Sequence, residues 1–286
     1  MKIKDVPISK KSSMGSMETL GEIHYHYQKY DNIFKFFDIL IKKDKNIKDV
    51  LCIPEAGKSW MRSFLKVILS AENLKTSELM MKNVKPVDPE VSVDLFNKMI
   101  KKCKKRIIAI SVQLIVENKP GTHANMLVID TKKKTVELFE PHGKRSQDTT
   151  MDSLEGAYKT SDKLLRKYFK KYFPEYKYIS PQDYLPSYGF QAKVDAYSGL
   201  CVTWSTMYLH YRILNPNIDF KKVSDHMKKK VNKDFILKYA KYIEDTIKDK
   251  NNNNNNNKKK TKSKIHKKTI IKTKKTIKRK YTKQRK

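Results

Sequence analysis

A histidine, a glutamate and a cysteine stand in this chain in an order that suits thiol chemistry. His123 and Glu140 lie in the segment Gly121-Thr-His-Ala-Asn-Met-Leu-Val-Ile-Asp-Thr-Lys-Lys-Lys-Thr-Val-Glu-Leu-Phe-Glu-Pro-His-Gly143, which reads as two short strands around a tight polar turn. With the turn at about Thr131–Lys132, His123 falls opposite Glu140, and alternation sets His123 and Asn125 on one face. Glu140 then accepts a hydrogen bond from Nδ1 of His123 and fixes its tautomer. Asp130 is the other local carboxylate, but it sits at the turn, far down the strand. A one-residue slip would turn the histidine to the opposite face.

Cys201 falls in the first turn of an expected helix, where unpaired N–H groups and a neighbouring imidazolium both favour a thiolate. Gly199 beside it would let a substrate backbone approach closely. Acyl transfer also needs donors for a developing oxyanion. Gln191, upstream on the turn Ser187-Tyr-Gly-Phe-Gln, and the Cys201 backbone N–H are the candidates, with Gln182 as a weaker substitute for Gln191. Cys52 and Cys103 read as small buried hydrophobes. His210 reads as a core histidine on the cysteine's own helix, and His142 as a structural neighbour of Glu140.

These residues need elements to hold them. Helical spacing predicts helices over Tyr30–Lys43, Trp60–Ser70 and Val91–Lys105. Lys82–Glu90, with two prolines, reads as a connection. Arg106–Glu117 is a nearly continuous β-branched run, as expected of a central strand buried on both faces. An amphipathic helix is expected over Ser161–Phe173, capped by Ser161 and stopped at Pro174. Tyr176–Gln191 reads as strand and loop. Ser198–Leu214 has few charges and predicts a buried helix capped by Ser198, with Trp204, Met207, Tyr208 and Tyr211 as packing residues. One or two amphipathic helices follow over Asp219–Lys248.

The formal charge of +33 is uneven: residues 258–286 hold 16 Lys and Arg and no acid. A field of that sign attracts nucleic acid, anionic surfaces or acidic proteins. Residues 1–20 read as a flexible leader, and seven asparagines at 251–257 open a disordered Asn/Lys-rich tail over 251–286. Three cysteines suggest no disulfide framework and hence a reducing compartment. No apolar run approaches the length of a membrane span.

The pattern HxNxLVID…ELFEPHG, then a glutamine, then GLCVTWSTMYLHYRILNP, resembles the adenovirus-type cysteine proteases, a clan that includes SUMO-deconjugating proteases and members in large DNA viruses. The resemblance covers roughly residues 105–215. It implies that His123 is general base and acid, Glu140 orients it, Gln191 helps to form the oxyanion hole and Cys201 is the nucleophile. Two departures stand out. Ala124 follows the histidine where the clan usually has an aromatic residue, and Ala192–Leu200 set the glutamine further from the cysteine than usual.

The expected fold is therefore α+β and papain-like, with a mostly antiparallel sheet flanked by helices and the nucleophile at the N-terminus of a buried helix. A peptidase domain is expected over 21–250, with its core at 105–215. The expected function is a cysteine-type peptidase acting on protein substrates, either viral structural precursors or ubiquitin-like conjugates, in a virion or in host cytoplasm or nucleus. DNA binding through 258–286 would accompany it, and no cofactor or metal is expected. An acetyltransferase of the same His-Glu-Cys arrangement is a rival enzyme. A basic nucleic-acid-binding virion protein with an inactive protease-like domain is the non-enzyme alternative.

Overall fold

A computed structural model describes residues 2–10, 30–55, 62–70, 77–84, 90–117, 122–144, 152–191 and 200–249. It is a mixed α+β fold built on an eight-stranded, mostly antiparallel sheet flanked by helices. The strands are β1 (Leu51–Cys52), β2 (Arg62–Leu69), β3 (Glu78–Val84), β4 (Glu90–Val91), β5 (Ile107–Val116), β6 (His123–Asp130), β7 (Thr135–Phe139) and β8 (Lys177–Ile179). They run in the order β4-β3-β2-β5-β6-β7-β8, with β1 pairing β5 in parallel. The helices are α1 (Tyr30–Lys43), α2 (Lys45–Val50), α3 (Val93–Lys102), α4 (Asp152–Tyr172), α5 (Pro181–Tyr184), α6 (Cys201–Leu214), α7 (Phe220–Lys230) and α8 over 233–249. Two compact units divide the chain, 1–244 and 245–286.

β5 explains the sheet. Its run IIAISVQLIV is buried along its first six residues, and β1, β2 and β6 all pair with it. On one face Ile108, Ile110, Val112 and Leu114 pack with Phe96 and Ile100 of α3 and with Leu165, Tyr168 and Phe169 of α4. On the other face lies α6, buried along nearly its whole length. Tyr208 of α6 stacks on Phe139 of β7 with ring centroids 4.3 Å apart. Below that contact Arg212 forks onto Glu137 at 2.8 and 2.9 Å, with both side chains fully buried. A buried charge pair of this kind holds only because both carboxylate oxygens are satisfied.

Several expectations are corrected. Residues 62–69 of the expected helix Trp60–Ser70 form β2, because β3 and β5 pair with the strand on both sides and sheet pairing overrides helical spacing. Lys82–Val84 belong to β3 rather than to a connection. The helix at 91–105 is shorter, running Val93–Lys102, with Ser92 as its cap: Ser92 Oγ accepts from the Leu95 amide. The helix expected to begin at Ser161 begins nine residues earlier. Ser161 sits inside it, its hydroxyl bonded to the Tyr158 carbonyl at 3.0 Å. Cys52 and Cys103 are joined by a disulfide, although no such pairing was expected. β1 lies beside β5 with Cys52 against Ile108, and Cys103 caps the helix that leads into β5, so the fold brings the two sulfurs together. This removes the premise for a reducing compartment.

The leader is also different in its described part. Lys4 exchanges backbone hydrogen bonds with the Asn215 side chain at 2.7 and 2.9 Å, and Val6 is buried. Residues 11–20 and 251–286, including the Asn tract and the basic tail, lie outside the described residues, as do Ser198 and Gly199. No helix among the described residues is long and apolar enough to cross a membrane.

Candidate active site

The site forms where β6 begins, where β7 ends and where α6 starts. The β6–β7 register pairs Met126 with Phe139 and Asp130 with Thr135, so the turn is the four residues Thr131–Lys134 rather than two. Asp130 shapes it by accepting the Lys132 and Lys133 amides, both at 3.0 Å, and Lys134 takes a φ of 53°. The added two residues keep every side chain on its expected face. Continued past the last pair, this register sets Asn125 opposite Glu140 and His123 opposite His142. The His123 and His142 rings are accordingly 4.8 Å apart. His123 reaches Glu140 diagonally, as long side chains in neighbouring strands can.

The contact is close: His123 Nε2 lies 2.6 Å from Glu140 Oε1. This corrects the expectation that Nδ1 faces the glutamate. Glu140 also accepts the Asn125 side-chain amide at 2.6 Å and the His142 backbone N–H at 2.9 Å. Three donors thus fix the carboxylate. On its other side His123 hydrogen-bonds the thiol of Cys201, and with Nε2 taken by Glu140 the nitrogen left for that bond is Nδ1. Cys201 is unbridged, is the first residue of α6 and is 7% exposed; the His123 side chain is 14% exposed. α6 carries no side-chain cap, and its cap residue is Leu200 rather than the expected Ser198.

Electrostatics follow from this geometry. Burial alone would push the His123 imidazole down. The Glu140 charge, followed by the Cys201 contact, outweighs it and carries the pKa from its ordinary 6.5 to about 10. Burial would raise Glu140, but His123 and then His142 hold its carboxyl below its ordinary value.

Gln191 is buried, its backbone N–H bonded to the Pro141 carbonyl at 3.0 Å and its Oε1 without a partner among the described residues. Two glycines bring it there. The Gly189 N–H bonds the His142 carbonyl at 2.9 Å, and a Cβ on Gly189 would lie 2.0 Å from the His142 carbonyl carbon. Gly143, at φ +80°, would set a Cβ 2.5 Å from the Pro186 carbonyl oxygen. The two backbones therefore run in contact, and Phe190 between them stacks on Phe139 and Trp204. Gln182 is elsewhere, donating to the Lys144 carbonyl at the surface. His210 is a core histidine facing the Tyr239 hydroxyl at 3.2 Å, and burial depresses it to about 3.

Three residues of this neighbourhood carried no functional reading. Asn125 shares a face with His123, and that alternation was the available signal for its bond to Glu140. Phe190 follows a Pro/Gly-rich stretch and gives no periodic pattern, although the structure makes it helical. Tyr158 was hidden because its helix was expected to start at Ser161; its ring stands edge-on to His123 at 5.5 Å. Among the described residues no cluster of His, Cys, Asp and Glu has the arrangement of a metal site.

No family model matches the chain. It is similar to "Putative ankyrin repeat protein L371" of Acanthamoeba polyphaga mimivirus, 27% identical over 165 residues, which is 50% of this chain and 21% of that protein. The chain thus spans about a fifth of the curated relative it matches. Among solved structures it aligns with the Chlamydia trachomatis effector protein ChlaDUB1 at a TM-score of 0.39 and 10% identity, covering 86% of this chain and 97% of that one.

Proposed function

We propose that this chain is a cysteine-type peptidase of papain-like arrangement acting on protein substrates. One observation carries the reading: a largely buried imidazole held by a glutamate through Nε2 while its other side meets an unbridged thiol at a helix start. In this reading Cys201 thiolate attacks an acyl carbon and forms a C–S bond while the carbonyl electrons move onto oxygen. The Cys201 backbone N–H and the Gln191 side-chain amide stabilise that oxygen. The tetrahedral species collapses, and His123 imidazolium protonates the departing amine, leaving a thioester. His123, now neutral, takes a proton from water, whose oxygen displaces the sulfur. Glu140 keeps its charge throughout and orients the ring.

The order His, acid, Gln, Cys and its resemblance to the adenovirus-type clan support this assignment. The similarity to a mimivirus protein supports the large-DNA-virus side of that resemblance. Substrates are then viral structural precursors or conjugates of ubiquitin-like modifiers. Two vinyl-sulfone probes test both arms, one built on a glycine-ended peptide and one on a ubiquitin-like modifier. The expected result is a covalent adduct on Cys201 with one or both probes, lost in Cys201→Ser. Failure of both to label Cys201 overturns the reading.

A further inference from the structure

Tyr158 presents a problem that the site as described does not resolve. Its hydroxyl is buried and has no hydrogen-bond partner among the described residues. Leaving a buried donor unmet costs stability. The surroundings make the orphan pointed. The Tyr158 ring stands edge-on to His123 at 5.5 Å and nearly parallel to His142 at 6.2 Å. The hydroxyl also lies in the fields of both Glu140 and Cys201 without bonding to either.

From this geometry, and resting on the peptidase reading, we infer that Tyr158 is a further catalytic residue: its hydroxyl donates to the acyl oxygen as Cys201 adds to the substrate carbon. The role requires an oxygen site about 3 Å from both nucleophile and donor, and the Tyr158 ring packs on the same His123 whose other side meets the sulfur. As the C–S bond forms, the carbonyl electron pair moves to that oxygen, which accepts the Tyr158 O–H; on collapse the pair returns and the amine leaves with the proton of His123. Tyr158 keeps its own proton throughout. Burial, then the charges of Glu140 and Cys201, push the phenol well above its ordinary pKa, so it remains a donor at any working pH. The arrangement also gives the orphan its purpose, since a donor unmet in the resting state and met in the transition state strengthens only the latter. The His142 ring that Tyr158 faces belongs to the segment against which the Gln191 backbone packs.

Tyr158→Phe isolates the hydroxyl, because the phenyl ring still packs on His123 and His142. Two readouts separate the possibilities: binding of a peptide aldehyde with glycine at its reactive end, which forms a tetrahedral adduct on sulfur, and alkylation of Cys201 by iodoacetamide, which develops no such oxygen. The expected result is aldehyde affinity weakened by about 10²–10³-fold. The alkylation rate should stay unchanged, with melting at or above the wild-type temperature. Aldehyde affinity equal to wild type overturns the assignment. So does a parallel fall in both readouts, which would make Tyr158 a positioning residue for His123. If aldehyde binding by the wild-type chain survives Cys201→Ser, the peptidase reading itself fails, and this inference with it.

Discussion

Ser205 Oγ donates a hydrogen bond to the Ala124 carbonyl across 3.1 Å, deep in the core. Ser205 is one helical turn beyond Cys201, and Ala124 is the residue after His123. This bond pins the cysteine's helix to the histidine's strand one residue from the place where thiol and imidazole meet. Ala124 is itself buried between strand and helix, so a large side chain has no room there. The small residue after the histidine is thus explained by helix packing. Ser205→Ala should cost about 1 kcal/mol of stability, measured by chemical denaturation. It should slow alkylation of Cys201 more than this loss explains, because the Cys–His spacing loosens.

The His123–Glu140 pair sets a pH dependence. The folded pKa of His123, about 10, stands above its ordinary 6.5. Its contribution to stability is therefore complete below pH 6.5 and is lost as pH rises through about 10. Glu140 acts in the opposite range: its folded pKa lies below 4.5, so its contribution is present above that pH and is lost as pH falls through the folded value. NMR titration of the His123 ring should give a midpoint near 10, falling toward 6.5 in Glu140→Gln. A wild-type midpoint near 6.5 would contradict the close pairing of His123 with Glu140.

Arg212 and Glu137 should be costly to separate and cheap to replace together. Arg212→Met alone leaves Glu137 buried and unpaired, and denaturation should show a loss of about 3–5 kcal/mol. The double variant Arg212→Met, Glu137→Leu should recover most of that loss, with Cys201 alkylation near the wild-type rate. Tyr208 also donates to Glu137 at 3.0 Å, so its hydroxyl loses a partner and recovery will fall short of complete.

Gly189→Ala should damage the site from a distance. The added methyl would meet the His142 carbonyl carbon and the Gly143 nitrogen, neither of which can yield like a side-chain tip. Stability should fall by more than about 1 kcal/mol. Peptidase turnover should fall further, as Gln191 and Phe190 are pushed off the 140–143 segment. Phe190 fluorine NMR after fluorophenylalanine labelling would report the displacement.

Much of this site was readable because its signals are local. His123 and Glu140 lie in one hairpin, and face alternation survived the longer turn because the shift was an even number of residues. The few charges of α6 announced its burial, and Cys201 at its start followed. What escaped came from distant chain segments. β2 looked helical because its neighbours, β3 and β5, arrive from elsewhere in sequence. Glu137 and Arg212 are 75 residues apart and nothing in either one's surroundings names the other. Cys52 and Cys103 meet only because β1 and the end of α3 both flank β5. Tyr158 was lost through a helix boundary placed nine residues late, and with it the aromatic wall of the site.

The central claim is that His123 and Cys201 form one reactive unit. The most direct measurement is the rate of Cys201 alkylation by iodoacetamide at pH 6, located by peptide mapping, in wild type and in His123→Ala. A thiol that depends on its imidazolium partner should react on the order of 10²-fold more slowly once that partner is gone. Equal rates in the two proteins would show that the contact between ring and sulfur does no chemistry.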